Sequence, residues 1–140
     1  MANFREVSPN ILIKKLAEEL KKADTIKQPS WATYAKTGCQ AERAPSQPDW
    51  WHLRSAALLR KIAVQGPIGT EKLRTVYGRR KRRGHKPAEF RRSGGSAIRK
   101  VLQQLEKAGF VKQKDKGIKK GRIATPKGIS LLDCVAKTIK

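Results

Sequence analysis

Leu105-Glu106-Lys107-Ala108-Gly109-Phe110-Val111 turns a helix into a strand, and the rest of the fold is read outward from it. Upstream, Ile98, Val101, Leu102 and Leu105 recur at i, i+3, i+4 and i+7, the spacing of one buried helical stripe. Gly109 sits where a helix ends in a left-handed backbone turn. Downstream, Phe110-Val111-Lys112-Gln113 and Gly121-Arg122-Ile123-Ala124 predict two short strands joined by the basic loop Lys114–Lys120. Thr125-Pro126 marks the cap and first turn of a last helix, with Ile129, Leu132, Val135, Ala136 and Ile139 inward.

Toward the N-terminus, Ser93-Gly94-Gly95-Ser96 leads into the helix that Gly109 stops, and Gly66-Pro67 ends an earlier one. Gly69 precedes a short helix, Thr70–Tyr77, with Leu73, Val76 and Tyr77 inward. Asp49 is placed to cap a strong helix from Trp50 to about Gln65, whose Trp51, Leu58, Leu59, Ile62 and Ala63 cover a wide apolar arc. Ser8-Pro9 opens a first helix with Ile13, Leu16, Ala17 and Leu20 as its stripe. Between these, Pro29-Ser30 suggests a short helix at Trp31–Lys36, and Pro45 and Pro48 an extended connection. Helix, short helix, helix and two-strand hairpin resembles a winged helix-turn-helix. The expectation is a mostly α chain of one domain, 1–140. Residues 1–48 form a helical extension and connection, and 49–140 a winged-helix body with a basic arm at 78–92 and a small β-hairpin wing.

Charge narrows the function. The 140 residues carry 33 Lys and Arg against 11 acids, a formal net charge of +22. A free compact protein so charged repels itself and binds polyanions indiscriminately, so a polyanion is its ordinary environment. The bias is local: residues 1–50 net +2, residues 51–140 net +20, and residues 79–122 alone hold 17 basic and three acidic residues. A solvated tail does not account for it, because apolar residues at helical spacing run through the basic stretch. An anionic membrane requires a hydrophobic anchor as well. The longest apolar stretches, such as Ala56-Ala57-Leu58-Leu59, are far short of a span, and no signal or lipidation motif is visible. Cys39 and Cys134 lie 95 positions apart without nearby His or Cys, which speaks against a disulfide scaffold or a zinc site.

Lys36-Thr37-Gly38, Asp49-Trp50-Trp51, Arg54-Ser55-Ala56-Ala57, Gly66-Pro67-Ile68-Gly69, Tyr77-Gly78, Arg83-Gly84-His85 and Val101-Leu102-Gln103-Gln104-Leu105-Glu106 follow one another in an order that resembles the small-subunit ribosomal protein family 19 of archaea and eukaryotes. That family is unrelated to the bacterial protein of the same number. The likeness runs from about residue 5 to residue 138, and its Asp-Trp-Trp and Gln-Gln-Leu-Glu-Lys-Ala-Gly wording is more archaeal than eukaryotic. It implies an rRNA-binding protein of the small-subunit head and, in eukaryotic members, a part in pre-rRNA maturation and subunit assembly. Arg54 and Arg60 fall on basic positions of the family's motif, so the resemblance extends RNA binding to them.

The residues themselves suggest a broader footprint. At 100° per residue, Arg54 and Lys61 share a face of the central helix and Arg60 lies on its other flank; a solvated or acid-paired flank is the plain alternative. Arg79, Arg80, Lys81, Arg82 and Arg83 are expected to form a mobile or RNA-ordered arm with His85 and Lys86, being too densely charged for a strand pairing on both faces. His85 is read as a packing or stacking residue. Arg91 and Arg92, with Ser93-Gly94-Gly95 before a helix N-terminus, fit a phosphate cradle or simply a tight turn. Arg99, Lys100 and Gln103 lie on the polar side of a recognition-type helix, suited to backbone and shape contacts on RNA. Lys114, Lys116, Lys119, Lys120 and Arg122 extend the surface along the wing. Trp51 is assigned to packing; Trp31 and Trp50 remain open between core and base stacking.

Catalysis has little support: no paired carboxylates, no metal cluster, and a Gly66-Pro67-Ile68-Gly69 segment without the lysine and hydroxyl of a P-loop. The expected partners are small-subunit rRNA and neighbouring ribosomal proteins, with no cofactor, small-molecule substrate or membrane. The protein is expected to be cytoplasmic, in the ribosome, and monomeric outside it. The rival is a winged-helix DNA-binding transcription regulator, dimerising through helix 8–22 or 126–139.

Overall fold

The central helix, α2 (Trp50–Gln65), packs against elements from both ends of the chain, and the computed structural model describes residues 3–139 around it. The order is α1 (Pro9–Lys21), a single 3-10 turn (Ser30–Thr33), α2, α3 (Thr70–Val76), β1 (Arg79–Arg83), β2 (Lys86–Arg91), α4 (Gly95–Lys107), β3 (Val111–Lys114), β4 (Gly121–Ala124) and α5 (Pro126–Lys137). The chain is mostly α. Its strands form two separate antiparallel pairs, β1 with β2 and β3 with β4.

α2 reads as apolar over a wide arc because it meets α1, α4, α5 and β4 at once. Trp51, Leu58, Leu59 and Ile62 are fully buried, each worth roughly 1.5–3 kcal/mol of apolar transfer. Ala63, expected in the same arc, is only half-buried. Trp51 anchors a tryptophan cluster: Trp31 and Trp50 meet it edge-on at 5.8 and 5.4 Å between ring centroids. Its indole N–H donates to Gln104 Oε1 (2.9 Å), and Gln104 Nε2 donates to the Lys27 carbonyl (2.7 Å), tying α2, α4 and the connection after α1 together. Trp50, left open from sequence, is buried.

The helix-to-strand turn forms as its residues direct. Gly109 has φ +77°; its N–H reaches the Glu106 carbonyl and the Phe110 N–H reaches Leu105, both at 3.0 Å. That pair of bonds is the Schellman arrangement. Ile98, Val101, Leu102 and Leu105 are all fully buried. Thr125 locks the next corner: its hydroxyl donates to the Gly109 carbonyl (2.7 Å) and accepts from the Gly128 N–H (3.2 Å). β3 pairs β4 in the register Val111↔Ala124 to Lys114↔Gly121. The backbone of Ile68 adds a third rung, exchanging bonds with Arg122 at 3.2 and 3.0 Å. Gly121 permits that approach, since a Cβ there would lie 2.7–2.9 Å from the Ile68 backbone.

Several sequence expectations are corrected. α1 buries Leu12 with Leu16, Ala17 and Leu20, while Ile13 is only half-buried at the edge. Val7 and Leu12 occupy the staple positions before and inside α1, and both are buried. Neither Ser8 nor Asp49 caps through its side chain. Asp49 instead pairs with Lys21 Nζ (2.9 Å), which joins α2 to α1 and lowers the Asp49 pKa. The helix expected at Trp31–Lys36 is the 3-10 turn alone. Val76 and Ile129 face outward, 38% and 39% exposed, because α3 and α5 each have only one covered side.

Candidate nucleic-acid interface

Arg54 rises from the second turn of α2 and lays its guanidinium over Tyr77, 4.3 Å from the ring centroid. Lys61 Nζ reaches the same ring at 5.9 Å, as their shared helix face requires. Arg60 does not join them; it is half-buried and its Nε lacks a hydrogen-bond partner. Burial holds the Arg54 pKa below the usual arginine range, opposed by Tyr77, and burial raises the Tyr77 pKa, opposed by Arg54. Arginine remains charged across the physiological range regardless. Among the described residues no carboxylate pairs with Arg54. A partly desolvated cation without a counter-ion is costly, and the aromatic face offsets part of that cost.

The segment expected as a mobile or RNA-ordered arm is a two-stranded antiparallel β-ribbon. β1 and β2 pair with Arg79↔Arg91, Arg80↔Phe90, Lys81↔Glu89 and Arg83↔Lys86, with a register irregularity between Lys81 and Arg83. Gly84 (φ +69°) and His85 make the two-residue turn, glycine at its first position supplying the positive φ. The charge density is compatible with strands because nearly every residue of both is exposed, so the cations stay hydrated. His85 is exposed at the tip, so of the packing or stacking read from the sequence it does not take the packing role. The two faces differ: Glu89 draws Arg83 (2.9 Å) and Arg91 (3.1 Å), whereas Arg80 stands opposite the half-exposed Phe90 and pairs with no acid among the described residues. Arg82 reaches the Glu42 carboxylate at 3.9 Å.

Before α4, the glycines serve the fold. The Gly94 N–H donates to the Thr37 carbonyl (2.7 Å) and the Ser93 N–H to the Arg74 carbonyl (3.0 Å), so two of the cradle's backbone donors are already used. Arg92 shares Glu71 with Arg74 (3.0 and 2.8 Å); the Arg74 bond leads in holding the Glu71 pKa low. Arg99 and Lys100 on α4, and Lys119 and Lys120 beyond β3, are exposed and pair with no carboxylate among the described residues. Arg122 is committed inward: its Nε donates to Glu106 at 2.7 Å, and both side chains are largely covered.

Arg54, Lys61 and the ribbon thus meet around Tyr77-Gly78, while Lys119 and Lys120 belong to the separate β3–β4 loop. Sequence reasoning passed over Tyr77 as a platform for two cations, and Tyr34 and Phe90 as exposed aromatics, 86% and 50% accessible. Phe90 was recoverable from strand alternation once the ribbon is recognised; the Arg54–Tyr77 pairing is long-range and left no local signal. Cys39 and Cys134 are free and exposed. Among the described residues no His, Cys, Asp and Glu group could hold a metal, and no helix is long and apolar enough to cross a membrane.

Fold and surface define a small, mostly helical, cation-rich protein with few counter-ions on adjoining elements. The chain belongs to the ribosomal protein S19e family, whose model matches residues 3–140. It is 48% identical to small ribosomal subunit protein eS19 of Aeropyrum pernix, over 99% of this chain and 90% of that one. It is 43% identical to the eS19 of Haloarcula marismortui (97% and 90% covered) and 37% to eS19G of Ascaris suum (99% and 92%). The family resemblance carried by the ordered motifs is borne out, including its archaeal leaning.

Proposed function

We propose that this protein is a structural, non-catalytic component of the small ribosomal subunit, held on rRNA of the subunit head and supporting subunit assembly. The observation that carries the reading is a set of cations that pair with no carboxylate among the described residues: Arg54 and Lys61 on α2 at the Tyr77 ring, then Arg79, Arg80, Lys81 and Lys86 along the ribbon that leads away from it. Fixed guanidinium forks on rigid elements match phosphate geometry. α2, α3, α4 and the β3–β4 hairpin form a winged helix-turn-helix body, with Arg60, Arg99, Lys100, Lys119 and Lys120 widening the footprint. Arg82, Arg83, Arg91 and Arg92 exchange nearby carboxylates for phosphates on binding. Arg122 acts chiefly by holding the wing to α4. Charges spread over a helix face, a ribbon and a wing suit folded RNA better than one DNA groove. Away from the ribosome the protein is a cytoplasmic monomer; within it, the near-neutral α1 side faces protein neighbours.

The test is sedimentation from cell extract. The protein pellets with small subunits and stays on them through a moderate-salt wash. Recovery as a free dimer selective for a duplex DNA site would overturn the reading in favour of a transcription regulator.

A further inference from the structure

Residues 79–91, the ribbon and its turn, hold seven Lys and Arg against one Glu, with Phe90 as their only Phe, Tyr or Trp. The register sets Phe90 directly opposite Arg80, so both side chains leave the same face of the pair. Gly78 is the diagonal neighbour on that face. A Cβ there would lie 2.6 Å from Phe90 Cζ and 3.0 Å from Cε2, so the ring leans across onto bare backbone and is steadied by it. Two residues earlier on β2, alternation returns to this face with Ala88, exposed and too short to cover a ring. Half of Phe90 is accessible, and among the described residues neither a second ring nor a cation lies over it. Tyr77 and Phe110, by contrast, are each met by a cation of the chain, Arg54 at 4.3 Å and Lys127 at 5.1 Å.

A steadied phenyl ring between two side chains without bulk, with an arginine directly across, is complementary to two parts of one nucleotide. The surrounding cations draw a polyanion to this face. Every base has a π-face that stacks on an aromatic ring whatever its sequence, while its phosphate can meet a guanidinium alongside. Bases inside an RNA helix have their faces covered by their neighbours, so the ring selects an unpaired base from a loop, bulge or end. We propose that the Phe90 ring is a stacking platform for one unpaired rRNA base, whose phosphate sits on Arg80. The inference rests on the rRNA-binding reading and adds to it a contact made with a base rather than with phosphates.

The test uses the full chain and protein-free small-subunit rRNA, with filter binding across a range of salt, thermal melting and tryptophan emission. Phe90→Leu keeps an apolar side chain beside Gly78 but has no π-face, and it weakens binding about fivefold to a hundredfold, the worth of one stacked base. Its log–log salt slope matches wild type because no cation is lost, whereas Arg80→Ala makes the slope shallower by about one. Phe90→Tyr keeps the ring and binds within about twofold of wild type. In Phe90→Trp the added indole emission is quenched on rRNA, beyond any change in wild type, whose Trp50 and Trp51 are buried. That reading stands by itself if the leucine variant misfolds. A leucine variant that binds as tightly as wild type would overturn the proposal: with a lowered melting temperature it makes Phe90 a packing residue, and with impaired incorporation into subunits it gives Phe90 to a protein neighbour. Indole emission in Phe90→Trp that rRNA leaves unchanged would overturn it too. Absence of rRNA binding by the wild type would remove the underlying reading as well.

Discussion

Replacing Arg54 with alanine separates a binding residue from a structural one. The stacked guanidinium over Tyr77 contributes about 0.5–2 kcal/mol, nearer the upper figure because it is partly desolvated. Opposing that loss, no carboxylate is orphaned and the cost of holding an unpaired cation away from water disappears. The net destabilisation is therefore about 1 kcal/mol, and the melting temperature falls by roughly 3–5 °C for a chain of this size. On rRNA the same change removes a charge-assisted contact worth about 1.5–3 kcal/mol, a loss of about tenfold to hundredfold in affinity. The slope of log affinity against log salt becomes shallower by about one. Filter binding to small-subunit rRNA, paired with thermal melting followed by circular dichroism, measures both quantities on one preparation. Arg54→Lys keeps the charge and loses the fork, so its affinity falls between wild type and alanine. An alanine variant that melts more than ten degrees lower yet binds within about twofold of wild type, on a folded fraction, would refute the reasoning and make Arg54 a packing residue.

Gly121→Ala, with its Cβ forced against the Ile68 backbone and φ at +141°, is expected to destabilise by more than about 2 kcal/mol in urea unfolding. Trp51→Phe removes the bond to Gln104 and leaves part of a fully buried site empty, costing about 2–4 kcal/mol by the same measurement. Glu106→Gln breaks the covered pair with Arg122 and lowers stability by about 1–2 kcal/mol, while affinity for rRNA stays within about threefold. Glu71 has its pKa depressed below 4.5 by Arg74 and Arg92, so its contribution is present above its unfolded value and is lost as pH falls through the folded one. Melting of Glu71→Gln and wild type should accordingly converge as the pH is lowered through that depressed value.

The parts of the fold legible in the sequence are those set by short-range rules. Gly109 admits the left-handed turn that ends a helical stripe, so the end of α4 and the start of β3 were readable within a residue or two. The Thr125-Pro126 start of α5 was readable for the same reason. Leu12 and Ile13, by contrast, lie 100° apart on α1, and either completes a stripe with Leu16 and Leu20. Only the placement of α2 and α5 decides in favour of Leu12. Asp49 looks like a cap by position, but its carboxylate is drawn off by Lys21, 28 residues away. The ribbon was missed because charge was weighed against burial. In an isolated two-stranded pair neither face has to be buried, and alternation sends neighbouring arginines to opposite sides. The candidate surface was legible as a list of cations. Its organisation was not, since Tyr77, which gathers Arg54 and Lys61, and Glu71, Glu89 and Glu106, which occupy others, act through tertiary contact.

The most direct test of the central claim is the salt dependence of binding to protein-free small-subunit rRNA, set beside a duplex DNA of equal length. With Arg54, Lys61, Arg79, Arg80, Lys81 and Lys86 all meeting phosphates, the log–log slope on rRNA should be about −4 or steeper. Affinity for rRNA should exceed that for the duplex by at least about a hundredfold near 0.15 M salt. A slope near zero, or equal affinity for both nucleic acids, would contradict an rRNA-binding component of the small subunit.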